Sequence, residues 1–284
     1  MAGVGGPSTA RPFRFGVVAM PTPMRTADTL QQSARAAAQH GYSIFLVPDN
    51  IFMLSPMPSL AVAASAADIR VGTLVMSSAL RAPAVAAWEA HSLSVLTEGR
   101  FELGIGAGLT ALGPALEAAF GIELGTPAQR IGRVEEVINR VAALSGDGHV
   151  HITMAAGGPK MRSLAGRVAD SVLLADNPYV DAARLDSLVT AFRQSAGDRA
   201  DQIELATNLT MVGDGPIEPE GLKALGLDVE RLHASDAVSV LRGTTAEMCD
   251  ELRRRRERWG VSYIMVGEAV MEQFAPVVEE LVGR

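Results

Sequence analysis

The feature that most restricts the fold of this chain is one alternation, repeated eight times: a short apolar run rich in β-branched residues, then a longer segment of helical period. The apolar runs fall at 13–19, 43–47, 69–76, 100–105, 150–155, 170–174, 203–211 and 262–266. The helical segments fall at 26–40, 58–67, 83–96, 127–144, 159–167, 179–195, 246–259 and 271–282. Pro58, Pro83, Pro127 and Pro159 open four of them, in the first turn, where a missing N–H costs nothing. Thr26 reads as a helix cap and His40-Gly41 as a stop.

Eight strands each followed by a helix predict an α/β fold closed as a single (β/α)8 TIM barrel. An open doubly wound sheet more often stops at about five or six strands, and closure leaves no strand edge exposed. The barrel is expected over 12–284, behind a disordered tail at 1–11 rich in Gly, Ser and Pro. Residues 213–233 are irregular and are expected to lay short helices and loops over the barrel mouth.

Composition narrows the function classes. Hydrophobic residues make up 48% of the chain, enough for a substantial core, and the net charge of −7 disfavours a nucleic-acid partner, which needs a basic face. The arginines at 253–256 alternate with Glu247, Glu251 and Glu257 and read as a solvated helix face. Cys249 is the single cysteine, so there is no internal disulfide, which fits a reducing compartment. With no signal-peptide core and no long uncharged apolar run, the expected location is cytoplasmic, without a membrane partner.

In a barrel of this kind chemistry sits at the C-terminal ends of the strands. That brings forward Pro48-Asp49-Asn50, Ser77-Ser78, Gly106-Ala107-Gly108 and Ala156-Gly157-Gly158-Pro159-Lys160. The run from Gly104 to Gly108 is not a dinucleotide fingerprint, because Leu109 stands where the last glycine belongs. Its glycines either let backbone amides approach a flat ring or an anion, or relieve crowding at a strand end. Glycines ahead of Pro159, with Lys160 beside them, suit a phosphate at a helix start; the other reading is a tight turn with an exposed lysine. His149 and His151 share one face at a strand's beginning with no carboxylate evident beside them, so they read as structural and no metal site is expected.

Several motifs in this order resemble the luciferase-like monooxygenase superfamily, especially its branch of coenzyme F420-dependent oxidoreductases. They are Phe13-Arg14-Phe15-Gly16-Val17, Val47-Pro48-Asp49, Arg81-Ala82-Pro83-Ala84, the segment from Leu96-Thr97-Glu98-Gly99-Arg100 through Gly108, and Ala155-Ala156-Gly157-Gly158-Pro159 leading to Ala165-Gly166-Arg167-Val168-Ala169-Asp170. Leu241-Arg242-Gly243-Thr244 and the segment from Arg255 to Tyr263 are similar to the family's C-terminal signature.

The resemblance implies a deazaflavin ring over the mouth, against a bulge at Leu74-Val75. Gly106, Ala107 and Gly108 would lie beside the ring or its tail, and Ala156, Gly157, Gly158, Pro159 and Lys160 would form the phosphate turn. It implies hydride transfer between coenzyme F420 and an organic small molecule or modified natural product. Many relatives carry Asp-His after the second strand where this chain has Asp49-Asn50, leaving Asp49 as the local proton-exchanging candidate or as a turn cap. Leu109 replaces a glutamate of the family's sugar-phosphate dehydrogenases, which disfavours that substrate class, and the connection at 145–148 is shorter than usual. An FMN-dependent monooxygenase and a redox-inactive binding or scaffold homologue are the alternatives. A homodimer is expected from the resemblance and the alanine-rich helices.

Overall fold

A computed structural model describes residues 11–174, 177–213 and 227–284. Residues 1–10 of the tail expected at 1–11, and positions 214–226 of the irregular stretch, lie outside the described residues. Eight staves close a parallel barrel: β1 Arg14–Val18, β2 Ile44–Val47, β3 Arg70–Thr73 continued by β4 Met76–Ser77, β5 Phe101–Gly106, β6 His151–Ala155, β7 Ser171–Leu173, β8 Glu204–Leu209 and β11 Val261–Gly267. β11 pairs with both β8 and β1, while β3 pairs with β2 and, at Val71↔Phe101 and Gly72↔Glu102, with β5. That last pairing brings backbones so close that a Cβ on Gly104 would lie 1.8 Å from the Thr73 carbonyl oxygen. Only glycine fits there.

Two expected strands are divided. The run at 69–76 breaks at Leu74-Val75, joined by a cis peptide, before β4 resumes against Ile105 and Gly106. The run at 203–211 leaves the barrel after Leu209. Thr210 and Met211 both donate to the Ser239 carbonyl, and β9 Met211–Val212 pairs with β10 Val240–Leu241 in a separate two-stranded sheet. Apolar pattern alone does not register either break, because the residues on both sides remain buried.

The expected helices form as α1 Ala27–Gln39, α2 Pro56–Ala66, α3 Pro83–Leu96, α5 Pro127–Ser145, α6 Pro159–Val168, α7 Ala182–Ala196, α9 Thr245–Trp259 and α10 Met271–Leu281. Thr26 caps α1 through a reciprocal box with Thr29, and the same device, Thr126 with Gln129, starts α5. One helix goes beyond the sequence expectation, α4 Gly113–Phe120 after β5, while α8 Val229–His233 is a short helix within the stretch where short helices were expected. Only 146–150 separate α5 from β6. Among the described residues no helix is long and apolar enough to cross a membrane.

The arginine run of α9 is not a wholly solvated face. Arg255 is buried and donates to the carbonyls of Val238 (2.6 Å) and Val240 (3.1 Å), fastening β10 to the body. Arg256 donates to the carbonyls of Arg284 (2.6 Å) and Arg11 (3.2 Å). Arg11, expected at the end of a loose tail, is thus tied down, and it also donates to Asp201 O at 3.1 Å.

Charge, not hydrocarbon, fills the barrel floor. Arg14 bonds Glu204 (Nε–Oε2, 2.7 Å) and Glu102 (Nη1–Oε1, 2.8 Å) and lies 3.7 Å from the Tyr263 ring centroid. Arg70 reaches Glu102 at 2.6 Å. The expectation that the histidines lack carboxylate neighbours is corrected here. His149 Nε2 is 2.9 Å from Asp170, and His151 Nε2 is 3.7 Å from Glu102 and 2.8 Å from Ser171 Oγ. The carboxylates come from other strands, so no local motif announces them.

Burial disfavours the Glu102 charge, but Arg14, His151 and Arg70 outweigh it and hold its carboxyl below the usual range. Burial pushes His151 below its ordinary value; Arg14 adds to that, while Glu102, Asp170 and Glu204 oppose it. Both shifts have the same consequence. An unfolded histidine takes up its proton near pH ~6.5 and an unfolded glutamate near ~4.3, each before its folded counterpart, so stability is present at higher pH and lost on acidification. The thermal midpoint should fall between about pH 7 and pH 5, and His151→Gln should flatten the upper part of that decline. A midpoint that holds or rises on acidification would contradict the floor's charge state.

Candidate active site

At the opposite end, the C-terminal ends of β2, β4, β5 and β6 surround a cavity of about 500 Å³. It brings together residues that sequence spacing leaves far apart. Asp49, Asn50, Leu74, Val75, Gly106, Ala107, Gly108, Gly157 and Gly158 all line it. Ala156, Pro159 and Lys160 do not. Ala156 is buried, its N–H donating to Leu173 O at 2.9 Å, while Pro159 and Lys160 are exposed on the first turn of α6.

The wall nearest β5 is bare backbone. A Cβ on Gly106 would approach Val75 Cγ2 to 2.9 Å, and Gly108 has φ +79° with its missing Cβ 2.7 Å from Ser77 Oγ. Side chains at these positions would fill the space beside Leu74-Val75. Across from it the turn at Gly157 and Gly158 opens α6, whose first N–H groups have no partner within the helix. Arg162 donates back to the Gly157 carbonyl and holds this turn.

Asp49 is pinned from three directions. Its carboxylate accepts from Arg81 Nη1 at 2.6 Å and Nη2 at 3.2 Å, and from the Ser77 amide at 3.0 Å, with the side chain only 4% exposed. Burial works against the Arg81 charge, but Asp49 and then Glu89 outweigh it and raise its pKa. Arg81 therefore stays charged, and its bonds to Asp49, with that of the Ser77 amide, tie the end of β2 to β4, directly beyond Leu74-Val75. Asn50 uses its Oδ1 to accept from the Phe52 amide at 3.0 Å.

Sequence spacing missed Arg130, which α5 delivers to the cavity. Its side chain donates to Gly108 O and Thr110 Oγ1, both at 3.2 Å, and its buried Nε has no hydrogen-bond partner among the described residues. A signal existed: the Thr126…Gln129 capping box fixes where α5 starts and puts residue 130 in its first turn, facing the barrel. Arg130 and the glycine turn at Gly157 and Gly158 line the same cavity, and a cation together with helix-start amides supplies what an anionic group needs.

Comparison with known proteins identifies the family and the fold. The model of the family "Luciferase-like monooxygenase" matches residues 12–215, and the chain belongs to that family. It is accordingly an oxidoreductase or monooxygenase enzyme. Its fold is similar to that of the coenzyme F420-dependent tetrahydromethanopterin reductase from Methanopyrus kandleri, at 19% identity and a TM-score of 0.73, covering 95% of this chain and 98% of that one. The monooxygenase RslO1 from Streptomyces bottropensis is similar at 19% identity and 0.67, covering 94% and 96%. An F420-dependent secondary alcohol dehydrogenase is similar at 17% identity and 0.73, covering 95% and 98%.

Asp49 and Asn50 should separate in a urea-unfolding experiment. Asp49→Asn breaks a buried ion pair and should cost about 2 kcal/mol, whereas Asn50→Ala loses one loop hydrogen bond and should cost under ~1 kcal/mol. Equal costs would show that the Asp49–Arg81 pair does not fasten the two strand ends.

Proposed function

We propose that this enzyme binds coenzyme F420 at the barrel mouth and transfers a hydride between it and an organic small molecule. The observation that carries the reading is the conjunction in one cavity of a wall of glycine backbone at Gly106 and Gly108, with only a methyl group between them at Ala107, and an anion-binding end. The anion-binding groups are Arg130, whose Nε has no partner among the described residues, and the glycine turn at Gly157 and Gly158, all in the cavity's lining. The residues present fit a flat ring carrying a phosphate tail. When bound, a deazaflavin supplies a carbon that accepts or donates hydride.

The chain's own contributions follow from the geometry. Leu74 and Val75 back the ring, Gly106 to Gly108 leave room beside it, and Arg130 with the first amides of α6 holds the phosphate. Lys160, exposed beside that turn, adds charge at longer range. Asp49, committed to Arg81 and the Ser77 amide, is a positioning residue: it holds Asn50 and the Leu74-Val75 step in register. Apart from Asp49 and Arg130, the cavity's described lining has no ionisable side chain. This favours substrates activated by conjugation, with the proton arriving from water through the open mouth.

That same lining supports the FMN-dependent monooxygenase as a second reading, since no side chain of the cavity's described lining is free to shuttle a proton to a carbonyl substrate. Fluorescence titration separates the two. The protein should quench F420 and bind it at least about tenfold more tightly than FMN, and Arg130→Met should weaken that binding by roughly tenfold, the worth of one charge-assisted hydrogen bond. Preference for FMN, with oxygen-dependent turnover, would replace the first reading with the second. Binding of neither would remove both.

A further inference from the structure

A second cavity, of about 230 Å³, lies at the C-terminal ends of β7 and β8. It adjoins the first, because Ala155 in the lining of one is the register partner of Leu173 in the lining of the other. Their chemistry differs. The first cavity carries Asp49 and Arg130, whereas the described lining of the second has no ionisable side chain and gathers neutral polar ones: Asn177, Thr207, Asn208, Thr210 and Ser239.

Asn177 and Ser239 are committed to the wall. Asn177 Oδ1 accepts from the Tyr179 amide at 2.9 Å, and Ser239 Oγ donates to the Pro178 carbonyl. The side chains of Thr207, Asn208 and Thr210 have no hydrogen-bond partner among the described residues. Alternation along β8 puts Glu204, Ala206 and Asn208 on its inner face. Glu204 joins the floor network, and Ala206 packs inside the barrel with Ile44, Leu46, Tyr263 and Met265. Asn208 comes next, exposed at the mouth beside its register partner Met265. Strands are poor in asparagine, and the layer beneath this one is hydrocarbon, so the carboxamide is left to bond with what enters the mouth.

We propose that this second cavity is a substrate subsite for a neutral amide edge, a carbonyl and an N–H side by side as in a lactam or carboxamide, read by Asn208. The Asn208 side chain offers an acceptor and a donor, the complement of that edge, and Thr207 and Thr210 add hydroxyls that donate or accept. A charged group would lose its solvation there with no countercharge to meet it. The volume holds a single small ring. The inference rests on the mouth being the active site and deepens that reading: the reacting carbon lies beside Gly106 to Gly108 while the amide of the same molecule meets Asn208. The pyrimidine of a flavin-type ring presents the same edge, and the test separates that source from a substrate.

The test is NMR titration of isotope-labelled protein with δ-valerolactam, with and without bound F420. The analogues δ-valerolactone, which only accepts, and piperidinium, which is charged, keep the ring size. The Asn208 side-chain amide signal is identified by its absence from Asn208→Leu. That signal should shift with the lactam, and the lactam should bind about five- to tenfold more tightly than the lactone, the worth of one neutral hydrogen bond. In Asn208→Leu the two should bind alike, with the thermal midpoint and F420 affinity of the unsubstituted protein. An unmoved Asn208 signal, a lactone bound as tightly as the lactam, or piperidinium preferred over both would overturn the inference. So would loss of lactam binding in the F420-bound protein together with weaker F420 binding by Asn208→Leu, which would assign the edge to the cofactor. Lactam preference where neither F420 nor FMN binds would remove the cofactor reading alone, and cofactor binding without that preference would remove this inference alone.

Discussion

Closure of the barrel runs through the approach of β3 to β5, where Gly104 leaves the Thr73 carbonyl room that a methyl group would occupy. Thr73 Oγ1 donates to Gly104 O at 2.6 Å, so the closest approach is also hydrogen-bonded. Just beyond it the third stave departs from the ladder at Leu74-Val75 and rejoins at Met76, setting those two residues into the mouth instead of the wall. The bare backbone of Gly106 and Gly108 then faces them. A cavity with a flat, side-chain-free wall is a direct result of how the barrel closes.

The two ends of the barrel divide their electrostatic roles. At the floor, Arg14 and Arg70 together balance Glu102 and Glu204 within one buried network. Removing one member would strand the others, so the floor serves stability. At the mouth, Asp49 and Arg81 satisfy each other, while Arg130 Nε has no hydrogen-bond partner among the described residues. The floor's charges are paired with one another, and the mouth presents Arg130 within its cavity lining.

Strand and helix alternation was legible in the sequence because each element carries its own local period, and the glycines at 106–108 and 157–158 pointed to the mouth because they follow strands. What stayed hidden depends on contacts between distant segments. Arg14 meets Glu102 across 88 positions and Glu204 across 190, so the floor network has no local signature. The break at Leu74-Val75 escaped the apolar pattern, although the family resemblance located it. Lys160 and Arg130 show the same limit from both sides. Each is a cation in the first turn of a helix, beside a glycine-containing segment, and only the facing of that turn decides which one enters the cavity.

The measurement that bears most directly on the account is amide hydrogen exchange on the protein with and without F420. Bound cofactor should slow exchange at 106–108 and at 160–161 together, because both strand-end turns hold one molecule. Protection confined to other parts of the chain, or to one of the two turns, would contradict a single site at the barrel mouth.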